Sequence, residues 1–144
     1  MKRIINSFSV AVLTLALLFS FASCGNTNSV DKKGLWENAT YLEDTELGKG
    51  DKTVVLEVKV EDQSVTFTVN TDKKTVGDAL VENDLIAGDE SEYGLYVKKV
   101  NGMTADYDKD KSYWAFYIDG NYATTGVDQT DITDGAKYKL EYTK

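Results

Sequence analysis

Between Val54 and Val69 apolar and polar residues alternate in two successive runs. Val54, Leu56, Val58 and Val60 share one side of an extended chain, with Glu57 and Lys59 on the other; Val65, Phe67 and Val69 repeat the pattern around Thr66 and Thr68. A period of two marks a half-buried strand, so the pair predicts a hairpin turning at Glu61-Asp62-Gln63. The period then lengthens. Val76, Ala79 and Leu80 fall at helical spacing behind Thr75, a capping residue, with Asp78 at the capping-box position near the positive helix end. This predicts a short helix across the sheet, ending near Asn83-Asp84. After Gly88 strands resume from Tyr93 to Val100, turn at Asn101-Gly102 and return through Thr104-Ala105; Asn-Gly accepts the positive φ of a two-residue hairpin turn. Tyr113 to Ile118 forms another strand, which turns at Asp119-Gly120 and returns through Tyr122-Ala123-Thr124. In the last strand Tyr138, Leu140 and Tyr142 face one way and Lys137, Lys139 and Glu141 the other. The chain has no proline, so every strand can donate its full ladder. One early helix among hairpins predicts an α+β fold with the helix packed on one face of the sheet.

Ahead of this pattern the chain has a different character. Met1-Lys2-Arg3 precedes an apolar stretch from Ile4 to Phe21, then Ala22-Ser23-Cys24-Gly25. A charged start, an apolar run and small residues at the break are the parts of a secretory signal. A Cys directly after small residues suits lipoprotein processing, although Phe21 stands where Leu is usual. We therefore expect a lipoprotein signal peptide over residues 1–23, acylation of Cys24 and anchoring at the outer face of a bacterial membrane, where several acyl chains hold a protein stably. An ordinary signal peptide followed by a chance free Cys is the alternative. Polar interruptions make the apolar run short for a permanent span. Residues 24–50 read as a tether, but Leu35-Trp36 and Tyr41-Leu42 are too apolar for a pure linker and are expected to dock on the domain that follows, residues 51–144.

Charge and composition exclude several functions. The 144 residues carry 24 acidic and 16 basic side chains, a net charge of −8, which argues against nucleic acid or an anionic lipid surface as partner. With one Cys no intramolecular disulfide can form, and with no His the usual Ser-His and Cys-His nucleophiles are ruled out, so no enzyme is expected. Asp106, Asp108 and Asp110 alternate like the start of a calcium loop. Lys111 stands where that loop needs Gly, and Tyr117 where it needs a bidentate Glu. These three aspartates are thus weak metal candidates in what reads as a solvated loop, and no metal site is expected. The aromatic strand sends Trp114, Phe116 and Ile118 to one face and Tyr113, Ala115 and Tyr117 to the other. The first set reads as core, the second as a half-exposed or interaction face.

One order of motifs adds a ligand class that composition cannot. Tyr93-Gly94-Leu95-Tyr96-Val97, Asn101-Gly102, Tyr113-Trp114-Ala115-Phe116-Tyr117 and Gly126-Val127-Asp128 together resemble the carboxy-terminal β-domain of the transcobalamin and intrinsic-factor family, of DUF4430 type, over roughly Lys52 to Lys144. The resemblance implies a β-grasp-like, mostly antiparallel sheet and a corrinoid such as cobalamin as ligand, with no cofactor required. In the vitamin-binding members this domain covers one side of the corrin, and the matching positions here are Tyr96, Val97, Phe116 and Ala123. Ala123 is smaller than the branched apolar residue usual there. The helical domain holding the other side has no room in this chain, so a transporter or a companion corrinoid-binding domain is the expected partner. The resemblance thus implies a lipid-anchored extracytoplasmic module that captures or presents a corrinoid. A cell-surface interaction or adhesion module without a small ligand, and a Ca²⁺-stabilised envelope domain, are the alternatives.

Overall fold

A computed structural model describes residues 28–144; the signal peptide expected over 1–23 and Cys24 lie outside the described residues. The alternating runs form β2 (Lys52–Val60) and β3 (Gln63–Thr71), an antiparallel hairpin. Gln63 already pairs with Val60, so the turn is Glu61-Asp62, one residue tighter than the pattern implies, with Glu61 at φ 57°. The last strand, β9 (Lys137–Thr143), lies parallel to β2 and pairs on its other side with the antiparallel aromatic strand β7 (Tyr113–Ile118), which in turn pairs with the short return β8 (Asn121–Tyr122). On the far side of β3 sits β1 (Thr45–Gly48), again parallel. The six-stranded order is β1-β3-β2-β9-β7-β8. A separate three-stranded sheet holds β4 (Ile86–Ser91), β5 (Gly94–Val100) and β6 (Met103–Thr104). Helix α1 (Val76–Glu82) is capped by the Thr75 hydroxyl, which accepts from the Asp78 N–H at 3.2 Å, and Asn83 closes it. The fold is α+β: most pairings are antiparallel, and two parallel joins make the larger sheet mixed.

Where structure and pattern part, the cause is backbone pairing without side-chain burial. Strand β4 carries no alternation because only Ile86 is buried and the other five residues are exposed. It is held through its ladder to β5. Tyr93, expected inside the strand, occupies the turn before Gly94 and is 82% exposed. The Asp106–Ser112 loop contains a single helical turn, α2 (Tyr107–Asp110). The Asp106 carboxylate accepts from the N–H groups of Asp108 and Lys109 at 3.1 and 3.3 Å, and Lys111 closes the turn at φ 66°. Ser112 is buried, and its N–H and hydroxyl both donate to Asp110.

The core lies between the inner face of the larger sheet, α1 and the smaller sheet. Val54, Leu56, Val58, Val65, Phe67 and Val69 from the first hairpin meet Leu140, Tyr138 and Phe116 from the far strands and Val76, Ala79 and Leu80 from the helix. The predicted inward sets of β2, β3, β7 and β9 all face it. Residues 28–50 pack onto the same core. Trp36, in a 3₁₀ turn over Gly34–Asn38, is 2% exposed, and Leu35, Tyr41 and Leu42 pack beside it, with Tyr41 edge-on to Phe67 at 5.6 Å. What holds this segment is Asn101, wholly buried at φ 50°. Its side-chain oxygen accepts from the Tyr41 N–H and its amide donates to the Tyr41 carbonyl, both at 2.9 Å; its backbone carbonyl accepts from the Thr40 N–H at 2.9 Å.

Replacing Asn101 by Ala strands buried backbone groups of Tyr41 and keeps the left-handed backbone, so urea unfolding should show a loss of about 2–4 kcal/mol. Asn101→Gly should lose less, by about 1 kcal/mol, because it relieves the backbone term alone. Asp110 supplies a second expectation. The Ser112 hydroxyl, then the Ser112 N–H, then the nearby Lys144 ammonium hold its carboxyl down from 3.8 to about 2. Because the folded value lies below the ordinary one, this contribution to stability is present above the ordinary carboxylate range and is lost as pH falls through about 2. Carboxyl NMR titration should find Asp110 ionised down to that pH, and Ser112→Ala should move the titration upward.

Candidate ligand-binding face

Strand β5 carries Tyr96 and Val97 on a hairpin whose shape is set by two glycines. At Gly88 a side chain would overlap the Tyr96 carbonyl, so the strands approach closely there. Pairing slips at the same place: Gly88 faces Val97 and Ala87 faces Lys99, leaving Lys98 as the extra residue of a bulge. Val97 and Lys98 are consequently both half-buried, while Tyr96 is turned outward at 44% exposure. The bulge presents the Lys98 carbonyl to the Trp114 indole N–H at 3.2 Å, which ties β5 to β7 across the two sheets. The Lys98 ammonium pairs with Asp89, which raises its pKa.

Gly94, at φ 101°, leaves the space that the Asp128 carboxylate enters; a Cβ there would stand 2.6 Å from that carboxylate. One Asp128 oxygen accepts from the Leu95 N–H at 3.0 Å, and the other is buried without a partner among the described residues. The next side chain, Gln129, donates to the Tyr93 carbonyl at 3.2 Å. The Gly126-Val127-Asp128 motif thus clamps the tip of the β4–β5 hairpin from the 3₁₀ turn Val127–Gln129. That the motif mattered was legible; that its carboxylate reaches Leu95 was not, because Asp128 and Leu95 are far apart in sequence.

The remaining expected ligand residues are inward. Phe116 is 9% exposed and stacks on Tyr138 at 6.1 Å and 14°. Ala123 donates its N–H to the Phe116 carbonyl at 2.9 Å and, like Val97, packs against the core. Phe116 and Ala123 are therefore joined directly, and Tyr96 is the member that offers its ring to solvent. The three aspartates do not converge: Asp106 caps α2, Asp110 takes Ser112 and Lys144, and among the described residues no group of three potential metal-ligating side chains occurs.

These features have relatives. Residues 73–144 match the family model described as a domain of unknown function, DUF4430. No curated protein sequence shows significant similarity. Among solved structures, a candidate metal binding protein from Ruminococcus gnavus ATCC 29149 superposes with a TM-score of 0.61 at 30% identity, over 65% of this chain and 98% of that one. Haptocorrin in complex with Cbi superposes with a TM-score of 0.51 at 17% identity, over 65% of this chain and 25% of that one, and shares the fold. In this chain the carboxylates of Asp106 and Asp110 are already engaged by their own loop, so millimolar calcium should leave the melting temperature unchanged; a rise would show a calcium site. By the family match over 73–144 and the similarity that spans nearly the whole of the Ruminococcus gnavus protein, the chain belongs to the DUF4430 family.

Proposed function

We propose that this chain is a non-catalytic binding module, lipid-anchored through Cys24 on the outer face of a bacterial membrane, that captures or presents a corrinoid together with a partner. The observation that carries the reading is the clamped β4–β5 hairpin. Asp128, Gln129 and the Trp114–Lys98 bond fix its position, and it holds Tyr96 exposed beside Val97. A pre-fixed aromatic on a rigid hairpin loses little entropy when a flat, largely apolar ligand covers it. The shared fold with haptocorrin, whose structure contains Cbi, supports the choice of ligand.

Magnitude supports the need for a partner. Covering about 250 Å² of apolar ligand surface contributes about 6 kcal/mol, and association itself costs at least about 4 kcal/mol. With Phe116 already committed to Tyr138, one face alone holds the ligand more weakly than millimolar, so a transporter or a companion corrinoid-binding domain supplies the other side. A second reading, a protein-interaction module without a small ligand, draws on the exposed tyrosines Tyr93, Tyr107 and Tyr122.

Amide NMR of residues 25–144 with cobinamide tests both readings. Shifts at Tyr96, Val97 and Ala123 should grow without saturating at millimolar ligand and vanish in Tyr96→Ala. No shift at those residues would overturn the corrinoid reading, and saturation in the micromolar range would overturn the need for a partner.

A further inference from the structure

The Asn101-Gly102 pair carries a reaction of its own. Glycine brings no side chain to shield its backbone nitrogen, so the Gly102 nitrogen of a free chain can attack the Asn101 carboxamide. Its bond to Cγ forms, the Cγ–Nδ2 bond breaks, and Nδ2 leaves as ammonia with the proton of the Gly102 N–H. Water then opens the resulting imide. Cleavage at Cγ leaves aspartate, whereas cleavage at the Asn101 carbonyl carbon leaves isoaspartate with one extra carbon in the main chain. The reaction needs no oxidant, reductant or enzyme.

In the folded chain the carboxamide is held out of this reaction. Its oxygen accepts from the Tyr41 N–H and its nitrogen donates to the Tyr41 carbonyl, both at 2.9 Å, which ties the group to Tyr41. The turn itself is fixed at φ 50° and 83°, as in a type I′ turn, and the residue is wholly buried. Asn38 and Thr40 lie directly against Gly102, where a side chain would meet the Asn38 carbonyl at 2.5 Å. The side-chain restraint and this cover both come from the amino-terminal segment.

That segment is built to separate. Residues 28–48 run on into β2 through the short link Lys49-Gly50-Asp51, where Gly48 and Gly50 stand at φ 74° and 152°. Its one strand, β1, is the outermost of the larger sheet. Trp36 is 2% exposed, yet its indole N–H finds no acceptor among the described residues, and an unmade buried hydrogen bond weakens docking. Segments held this way open without the rest of a domain unfolding.

We propose that Asn101 is a deamidation site guarded by the amino-terminal segment, and that its conversion releases the segment permanently. Aspartate has no hydrogen to give the Tyr41 carbonyl and sets a buried charge against it. Isoaspartate lengthens the two-residue turn that pairs Val100 with Met103. With either product the clasp that delivers Trp36, Tyr41 and Leu42 to the core is lost, and β1 leaves the edge of β3. Closing of the segment is fast against deamidation, so the rate follows the fraction of time that the segment is open.

The test follows Asn101 by peptide mass spectrometry in the full chain, in mildly alkaline buffer, with amide hydrogen exchange read in the same samples. The folded chain should deamidate at least about a hundredfold more slowly than the chain in urea. Trp36→Ala should accelerate the reaction at least about tenfold, and by the same factor as it raises exchange at Tyr41, while β2 and β9 stay protected. Leu42→Ala, a smaller loss, serves if Trp36→Ala does not fold. Asn101→Asp should remove protection at Tyr41 and keep it in β2 and β9. Equal rates in folded and unfolded chain would show that the amide is unguarded and overturn the proposal. So would acceleration that appears only with loss of protection in β2 and β9, or a Tyr41 amide still protected in Asn101→Asp.

Discussion

The buried amide of Asn101 is the constraint on which the assembly of this domain depends. It sits where three pieces of chain meet: the β5–β6 turn to which it belongs, the end of the helical region through its N–H to the Leu85 carbonyl at 2.8 Å, and the Thr40-Tyr41 backbone of the amino-terminal segment. Each polar group of the residue therefore has a use, which is what burial at that depth demands. Gly102 completes the arrangement, since a side chain there would press on Asn38 and Thr40. Once this junction is made, Trp36 and Tyr41 are delivered to the core and β1 comes alongside β3. A residue read as a turn former is thus also the clasp that makes the preceding segment part of the domain.

The second organising feature is the parallel pairing of β2 with β9, which joins the early hairpin to the end of the chain and leaves a sheet with two unlike faces. The inner face is saturated with apolar side chains, and Phe116 is absorbed into it through Tyr138. The outer face is a mesh of short polar and charged side chains in which Lys59, Lys139, Glu141 and Tyr117 satisfy one another. The hairpin of the smaller sheet lays Ile86, Val97 and Val100 against that core and is held by Asp128 and by the indole of Trp114.

Local periodicity and turn chemistry are enough to set the strands, the helix and the turns. Alternation around Val54–Val69 and Tyr138–Tyr142 set strands and inward faces, Thr75 with Val76, Ala79 and Leu80 set the helix, and Asn101-Gly102 and Asp119-Gly120 set turns whose φ angles are 50°, 83°, 49° and 83°. The motif order from Tyr93 to Asp128 carried the family. The remaining features depend on partners distant in sequence and become visible only in the folded chain. Strand β4 exists because β5 offers it a ladder, and its exposed Ala87 to Ser91 give no pattern to read. The two parallel joins, the reach of Asp128 to Leu95 and the burial of Asn101 all arise from the packing of remote segments. Periodicity records which side of an element is buried; it holds no record of which remote backbone group or charge will lie against it.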